Sequence, residues 1–472
     1  MRRASTTAAA VAAALATLAS GARAGGFYLV DRGVRPLGRG GAFVAGADDQ
    51  HAVWYNPAGL SEAGNGLLVD GALVLFANTY TRTAQPDPSM PAVSFAPVQG
   101  SGAPVPIPTL VVTHDFGLRH FRFAAGAYAP YAALPTYDSA PLAPQRYSLI
   151  TLDGSALAVA GVWPAWKPHP MISVGAGVQV LIGSFVSQLA FSACPATVTC
   201  APEDPQWDSL AQLNVGPIVA PTGNVGVRFN PHRVVSIGAS FNLPITVDAG
   251  ARLDVRLPSA PFYDGARVEG NSAQVGFTLA PIARVGVEVR PTERTRVELA
   301  ATWEGWSVHD AINLAPRGVR IVNARAVGTY DVGDVSLARN FQDVWSVRVG
   351  GEHRFDVGAY GITARAGFSY ETSATPAAYT SVLTFDADKA TVSLGASLAR
   401  GRFRLDAVYA HTFWGSVETT PCAYDPRAPT RCQGLYPTAP FRAGPNAPRY
   451  TVNGGSHDPT LNVFGLGLRY AF

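Results

Sequence analysis

Hydrophobic and polar residues alternate with a period of two along most of the chain after residue 66. In segment 283–290, for example, Val285 and Val287 alternate with Gly286 and Glu288. Successive side chains of an extended strand point to opposite faces, so such a segment predicts a strand with one apolar and one polar face. The same pattern recurs in 296–304, 344–354, 362–370, 391–398 and 402–413. The chain is therefore expected to be all-β.

The alternation, together with the turn residues between segments, predicts fourteen antiparallel strands. Short turns such as 291–293 alternate strictly with long loops such as 306–342. A two-sheet sandwich also alternates, but an even strand count with short connections at one end and long ones at the other is typical of a transmembrane β-barrel. The strands are expected at about 67–79, 109–116, 121–129, 149–163, 171–185, 221–230, 234–247, 274–290, 294–305, 343–355, 361–370, 390–399, 402–414 and 461–472.

Composition narrows the class of protein further. The 472 residues are 47% hydrophobic and only 15% charged, whereas a soluble protein is usually about a quarter charged. The net charge of +3 gives no basic excess for binding nucleic acid. Beyond the first two dozen residues there is no apolar run of about 18 residues that could cross a bilayer as a helix. These features favour an outer-membrane barrel spanning residues 67–472.

The first 24 residues have the pattern of a cleaved signal peptide. Arg2 and Arg3 precede an apolar run at 8–19, and Ala22-Arg23-Ala24 follows as a small-x-small cleavage site. The apolar run is too short for a retained membrane anchor, so we expect the mature chain to begin near Gly25.

The four cysteines form two close pairs in polar, proline-containing stretches, Cys194 with Cys200 and Cys422 with Cys432. An exported chain meets an oxidising compartment, so each pair is expected to form a disulfide within a long outward-facing loop. Neither pair has the spacing of a zinc site, and no metal or cofactor is expected.

The parity of the polar positions predicts the register around the 291–293 turn. Even-numbered residues carry the polar face on both sides, so even residues must lie opposite even residues. This places Glu288 near Arg296 and Arg284 within diagonal reach of Glu298. A charge-paired wall facing the barrel interior is favoured, while one or two of these arginines remain alternative sites for a substrate carboxylate.

Residues 25–66 do not alternate and form a compact, glycine-rich segment. Its glycines complete neither a dinucleotide-binding nor a P-loop motif. Asp48-Asp49 has no obvious further metal ligands and is more typical of a turn or helix cap, and Asn56-Pro57 is typical of a turn.

The motifs of this segment resemble the N-terminal region of the FadL/TodX family of outer-membrane transporters. The matching residues are Gly26-Phe27, Leu37-Gly38-Arg39-Gly40-Gly41-Ala42, Ala47-Asp48-Asp49 and Asn56-Pro57-Ala58-Gly59-Leu60. The resemblance implies a fourteen-stranded barrel whose lumen holds residues 25–66 as a hatch. It also implies that Gly25, Gly26 and Phe27 approach the substrate, and that Gly38, Gly40, Asn56, Pro57 and Ala58 belong to the hatch motif.

The last strand alternates and ends on aromatic residues, Tyr470 and Phe472. As a pattern it is a lipid-facing edge, and it resembles the C-terminal signature through which the barrel assembly machinery recognises its substrates. Loops 80–108 and 130–148 are unusually apolar and would suit the initial capture of a hydrophobic substrate.

The function implied by the resemblance is passive uptake of long-chain fatty acids or other hydrophobic compounds such as hydrocarbons, with lateral release into lipid. The protein is expected to be a monomer in contact with membrane lipid and lipopolysaccharide. A porin-like or structural, adhesin-like barrel is the alternative, although an open pore does not need a hatch. An enzyme is not expected, because the chain lacks G-x-S-x-G and H-E-x-x-H, and His309-Asp310 is more typical of a loop.

Overall fold

The computed structural model describes most of the chain after residue 26. The described residues are 27–28, 31–83, 94–101, 105–129, 131–132, 136–152, 154–195, 198, 200–201, 204–325, 328–376, 379–415, 417–419 and 454–472. The predicted signal peptide (1–24), Gly25, Gly26 and the Cys422/Cys432 pair lie outside them. Phe27 belongs to a two-residue strand, Phe27–Tyr28, that pairs with Tyr131–Ala132.

Fourteen antiparallel strands of the described chain close into a barrel in which the first strand pairs with the last. The predicted fold class is confirmed. The strands are β1 (Gly66–Arg82), β2 (Val98–Ser101 and Val105–His114), β3 (Phe121–Tyr128), β4 (Ala156–His169), β5 (Ile172–Ser192), β6 (Asp208–His232), β7 (Val235–Asn242 and Ile245–Arg256), β8 (Ser272–Leu279 and Ile282–Thr292), β9 (Thr295–Glu304 and Ala311–Arg317), β10 (Val335–Ala338 and Val344–Val357), β11 (Tyr360–Glu371), β12 (Lys389–Arg400), β13 (Phe403–Trp414) and β14 (Gly455–Ala471).

Several strands have different limits from those predicted. The strand predicted at 149–163 begins only at Ala156, because 149–152 forms a loop that hydrogen-bonds to Gln188 of β5. In contrast, β6 begins at Asp208, well before the predicted 221, and β7 continues to Arg256. Apart from the exposed Val219, these extensions place apolar side chains inside the barrel and polar ones outside, so they do not have the pattern of a lipid-facing strand.

In part of the wall, which includes β8, the inner and outer faces of the strand exchange places partway up the barrel. In the lower part of β8, Val285 and Val287 are exposed on the outer face while Glu288 is fully buried inside. Above the break at Ala280-Pro281, Val275 is buried on the inner face and Ser272 is exposed outside. The upper wall is thus apolar inside and polar outside, as expected of a part that stands in water above the membrane.

The connections differ at the two ends of the barrel, as predicted. Short turns join β6 to β7, β8 to β9, β10 to β11 and β12 to β13 at one end. The opposite end carries the longer connections, which contain a small sheet of Arg267–Glu269, Arg320–Ala324 and Gly328–Asp331. Of the two predicted disulfides, Cys194–Cys200 forms in the connection between β5 and β6.

Within the described residues, no helix has the length and apolar character to cross a membrane.

Residues 31–65, here called the lumenal segment, contain two one-turn helices and a 3-10 helix: α1 (Val34–Leu37), α2 (Ala52–Tyr55) and Pro57–Glu62. Helix α1 contacts β12, β13 and β14, whereas the 3-10 helix contacts β4, β5 and β6 on the other side of the barrel. A segment that touches inward-facing residues of opposite walls lies inside the barrel. Its apolar residues, including Phe43, Tyr55 and Leu60, join the core formed by the barrel interior.

Candidate functional site

A carboxylate of the barrel wall binds the backbone of the lumenal segment. Glu298 of β9 accepts hydrogen bonds from the N–H groups of Val44 (2.6 Å), Ala45 (2.9 Å) and Gly46 (2.9 Å). Arg39 donates to Glu298 at 3.2 Å and to Glu288 at 2.9 Å, and all three side chains are fully buried. The charges of the wall therefore hold the segment rather than line an open channel.

Arg35 and Arg296 extend this network from the segment to the wall. Arg35 donates two hydrogen bonds to Glu352 of β10, at 2.6 and 3.2 Å, and also contacts Asp48 (2.5 Å) and Asp49 (2.8 Å). Arg296 of β9 contacts Asp48 at 2.6 Å. Asp48 and Asp49 therefore belong to ion pairs. Burial acts in the opposite direction, but the arginines outweigh it and hold the pKa of Asp48 below its usual value.

The predicted register is partly confirmed. Even residues lie opposite even residues across the β8–β9 turn, with Glu288 opposite Glu298. Arg296 contacts Glu288 at 2.9 Å, as expected. The expected proximity of Arg284 to Glu298 is wrong, because Arg284 lies opposite Thr302 and donates instead to Asn242 at 3.0 Å. Glu298 is engaged by the lumenal segment, a partner that strand parity cannot reveal.

His51 connects the lumenal segment to the first strand. Its imidazole lies between two carboxylates, with Nδ1 at 2.9 Å from Asp49 and Nε2 at 2.5 Å from Asp70 of β1. Asp70 also accepts a hydrogen bond from the N–H of Val34. Burial disfavours the charged imidazole, but the two carboxylates outweigh it and raise the pKa of His51 to about 9.

The Asn-Pro-Ala motif forms the turn that its residues predict and also attaches the segment to the wall. Asn56 Oδ1 accepts a hydrogen bond from the N–H of Ala58, and Pro57 begins the 3-10 helix. Asn56 Nδ2 donates to the carbonyl oxygens of Val44 and, on β6, Val227, both at 3.0 Å. One side chain thereby joins two parts of the segment to the barrel.

Glycines on β10, β11 and β12 allow the lumenal segment to approach this side of the barrel wall closely. A Cβ atom built at Gly367 of β11 would lie 2.0 Å from the nitrogen of Gly40, and one built at Gly350 of β10 would lie 1.9 Å from the oxygen of Arg39. Gly38 lies against Gly395 of β12. Gly40 itself has a φ of 61°, a conformation that favours glycine.

Above the lumenal segment, the barrel encloses an apolar cavity of about 250 Å³. Asp31, Arg32 and Gly33 of the lumenal segment contribute to its lining. Most of the wall is aliphatic or aromatic, which suits a hydrophobic ligand. The largest of these side chains are Phe76, Phe185, Leu213, Phe277, Trp306, Ile312, Phe341, Phe385 and Trp414.

A few charged groups line the same cavity. Lys389 is paired with Asp386 (2.9 Å) and Glu371 (2.7 Å). Arg339, in the interruption of β10, is only 7% exposed, and among the described residues no carboxylate lies within ion-pair distance of its guanidinium. The cavity thus combines apolar walls with a buried guanidinium, that of Arg339, which is placed to bind an anionic group.

The predicted site residues comprise the motif residues of the lumenal segment and the three residues at the start of the predicted mature chain. Gly38, Gly40, Asn56, Pro57 and Ala58 all hold the lumenal segment against the barrel, below the cavity. The role predicted for Gly25, Gly26 and Phe27 beside the substrate stays a prediction. The cavity residues were not foreseen, because alternation alone does not show which face of an upper strand looks into the barrel.

The chain was compared with protein families and with solved structures. It matches the family model described as outer membrane protein transport protein (OMPP1/FadL/TodX) over residues 15–428. The fold is similar to that of a Pseudomonas aeruginosa FadL homologue, with a TM-score of 0.71, 18% identity and coverage of 95% of this chain and 100% of that one. No curated protein matches the sequence.

Two further solved structures share the fold. The P. putida toluene transporter TodX has a TM-score of 0.62 and 16% identity, covering 94% of this chain and 99% of that one. The CymD monoaromatic hydrocarbon channel has a TM-score of 0.58 and 16% identity, with the same coverage. At these identities the similarity to solved structures establishes the fold alone.

Proposed function

The chain belongs to the OMPP1/FadL/TodX family of outer-membrane transport proteins, and we propose that it mediates passive uptake of hydrophobic compounds into the outer membrane. The observation that carries the proposal is the apolar cavity enclosed above the lumenal segment. An apolar solute crosses the hydrocarbon layer readily, but the sugar-coated outer leaflet is a poor solvent for it. A cavity in the barrel bypasses that barrier.

The position of the cavity supports this function. It lies in the upper barrel, where the wall is apolar inside, and the buried charge network of the lumenal segment fills the lumen below it. A solute entering from outside would therefore meet an apolar chamber closed at its base. Release sideways into lipid, with movement of the lumenal segment, is the path that this arrangement favours. Partitioning and consumption of the substrate in the cell can drive net flux without an energy source.

The proposed substrate is an amphiphile with an anionic head, of which a long-chain fatty acid is the simplest example. Arg339 offers a buried guanidinium beside Phe341 and Trp306, so a carboxylate can bind there while its chain lies along the apolar wall. Neutral aromatic hydrocarbons, such as the toluene carried by TodX, would occupy the same cavity without contacting Arg339.

The alternative is a porin-like or adhesin-like barrel. In this protein the lower lumen is occupied by side chains such as Arg39, Phe43 and Tyr55, which are almost fully buried. That packing favours transport of substrate bound in the cavity over free passage of water-soluble solutes. A transport role also accounts for the buried charges of the lumen without a catalytic function.

Two measurements on the purified full-length protein test the proposal. A fluorescent fatty acid should bind to the protein in detergent, and proteoliposomes containing it should not swell in small sugars. Free passage of sugars without fatty-acid binding would establish the porin alternative instead.

The remaining expected partners belong to the same proposal. We propose that the protein acts as a monomer, that its upper, polar outer wall meets lipopolysaccharide, and that the C-terminal strand ending at Phe472 is recognised by the barrel assembly machinery.

A further inference from the structure

The outer face of the upper wall carries an open pocket of about 560 Å³, separate from the cavity inside the barrel. Strands β5, β6 and β7 form its floor, and the connection between β7 and β8 forms one side at Val268, Gly270 and Asn271. Pockets of about 300–1,000 Å³ are typical of small-molecule sites, so a sugar residue fits within this one.

Three polar side chains form a row across the floor of the pocket. Gln188 of β5 lies opposite Gln212 of β6, and Gln212 lies opposite Asp254 of β7. The row faces away from the lumen, because Leu213, the next residue along β6, lines the cavity and successive residues of a strand point to opposite faces. Amides both donate and accept hydrogen bonds, whereas a carboxylate accepts them. A row that offers both suits neighbouring sugar hydroxyls, which also donate and accept.

Arg256 adds a positive charge at the upper end of the row. It is exposed and lines the pocket, opposite Leu210 of β6. Arg252 of the same strand contacts Asp254 at 2.9 Å, but no carboxylate of the described chain lies within ion-pair distance of the Arg256 guanidinium. A guanidinium binds phosphate oxygens through paired, charge-assisted hydrogen bonds. The pocket therefore suits a sugar that carries a phosphate group.

The apolar outer face of β6 shows where the hydrocarbon layer ends. Its exposed apolar residues run from Phe229 near the short turns up to Val219, which is 69% exposed. The strand between these two residues, tilted by about 40°, rises roughly 26 Å, and the apolar band of a transmembrane barrel is about 25 Å tall. Val219 therefore marks the upper edge of the hydrocarbon on this side of the barrel.

The pocket lies above this edge, at the height of the outer-leaflet sugars. At the same tilt, the strand rises roughly 18 Å from Val219 to Gln212. The pocket opens sideways from the wall, because its polar row lies on the same outer surface that faces lipid lower down. It therefore faces the head groups of the surrounding leaflet rather than the medium above the barrel.

We propose that this outer pocket binds the phosphorylated sugars of lipopolysaccharide. Gln188, Gln212 and Asp254 bind sugar hydroxyls, and Arg256 binds a phosphate. The inference gives a site to the lipopolysaccharide contact proposed above. It does not depend on the transport function, because the pocket and the cavity lie on opposite faces of the wall.

The test measures binding of the phosphorylated core oligosaccharide, released from lipopolysaccharide by mild acid, to the purified full-length protein by isothermal titration calorimetry. The same oligosaccharide after chemical dephosphorylation, inorganic phosphate alone and lipid A in detergent are titrated separately. The variant combines Gln212→Ala with Arg256→Ala. The matched control combines Thr292→Ala with Arg294→Ala, which also removes an exposed polar residue and an exposed arginine, but at the short turn between β8 and β9 at the other end of the barrel.

We expect the natural protein and the control to bind the oligosaccharide, and the variant to bind it about tenfold more weakly or less, because it has lost a hydrogen bond to a charged group. Dephosphorylation should weaken binding to the natural protein by a similar factor and should matter little to the variant. Fatty-acid binding by the variant should be unchanged, which also shows that it is folded.

The proposal is overturned if the natural protein does not bind the oligosaccharide, if variant and natural protein bind it equally, or if variant and control lose binding equally. Binding of lipid A or inorganic phosphate in place of the oligosaccharide overturns it as well. Should the variant fail to fold, equal binding of the two oligosaccharides by the natural protein still overturns it. Failure of the natural protein to bind a fatty acid would reject transport alone, while the oligosaccharide titration would still decide the pocket.

Discussion

At the scale of single residues, Arg339 is the side chain that would distinguish substrates with and without a charged head. It is buried in the cavity, and no ion-pair partner for it lies among the described residues. We expect Arg339→Gln to weaken binding of a long-chain fatty acid by about tenfold or more, because a hydrogen bond to a charged group contributes about 1.5–3 kcal/mol. Binding of the fatty alcohol of the same length should change little. Fluorescence competition with both ligands measures the difference.

The fatty alcohol also serves as the internal control for correct folding of this variant. An equal loss for acid and alcohol would show that Arg339 maintains the cavity rather than binding a carboxylate. In that case the cavity would have no demonstrated preference for acids, and hydrocarbons would become the better substrate class.

His51 makes the attachment of the lumenal segment depend on pH. Its pKa is raised to about 9 between Asp49 and Asp70, so its contribution is fully present below the unfolded value of about 6.5 and is lost as the pH rises through 9. Hydrogen exchange of residues 31–65, corrected for its intrinsic pH dependence, should therefore accelerate between pH 7 and pH 10.

The carboxylates of the same network set the acid limit of the pH range in which the lumenal segment stays attached. Burial disfavours the charged form of Asp49, but His51 and Arg35 outweigh burial and hold the pKa of Asp49 well below its usual value. The contribution of Asp49 to the attachment of the segment is therefore lost only in acid, as the pH falls below the ordinary range for aspartate. His51→Gln should abolish the alkaline change while leaving the acid one. If the variant and the natural protein respond alike above pH 7, His51 is not the titrating group.

At the scale of elements, strands β10 and β11 present glycines to the lumenal segment, which packs closely against them. A Cβ atom at Gly367 would lie 2.0 Å from the backbone of Gly40, too close for the segment to stay in place. We expect Gly367→Ala to displace the segment and to let small sugars pass, which liposome swelling would detect. Gly71→Ala is the control, because a Cβ atom at Gly71 of β1 meets no atom within 4 Å. Impermeable Gly367→Ala liposomes would contradict a tight fit at this position.

At the scale of the whole molecule, removal of the lumenal segment tests whether it closes the barrel. Deletion of residues 25–60 takes away Arg35, Arg39 and Asn56, which bridge to β6, β8, β9 and β10. The barrel ladder itself does not depend on them, so a conducting barrel should remain. Single-channel recordings should show a clear increase in conductance. A deleted protein that conducts no better than the intact one would mean that the segment does not act as a plug.

Much of the barrel was predictable because its physical cause is local. The lower strands face lipid on one side and a polar lumen on the other, and this two-sided environment imposes the alternation seen at Val285 and Glu288. The even-to-even register at the β8–β9 turn followed from the same alternation. The family membership implied by the glycine-rich motif and by Asn56-Pro57-Ala58 is also confirmed.

The upper barrel was less predictable because alternation does not say which face looks inward. Val275 and Val285 have the same parity and both belong to alternating segments, yet the first is buried and the second is exposed. The reversal depends on how each strand aligns with its neighbours at Ala280-Pro281, which is a property of the pairing. The partner of Glu298 was missed for a similar reason, since Val44, Ala45 and Gly46, whose N–H groups bind it, lie more than 250 residues away in the chain.

By itself, the sequence determined the class of fold, the number of strands, the polarity of the lower wall and the pairing of Cys194 with Cys200, because each arises from local patterns or from spacing along the chain. Only the tertiary structure decided where the wall reverses its faces and where the cavity forms. These features depend on the relative alignment of strands distant in sequence, and a shift of one residue between two strands is enough to exchange the inside and the outside of the barrel.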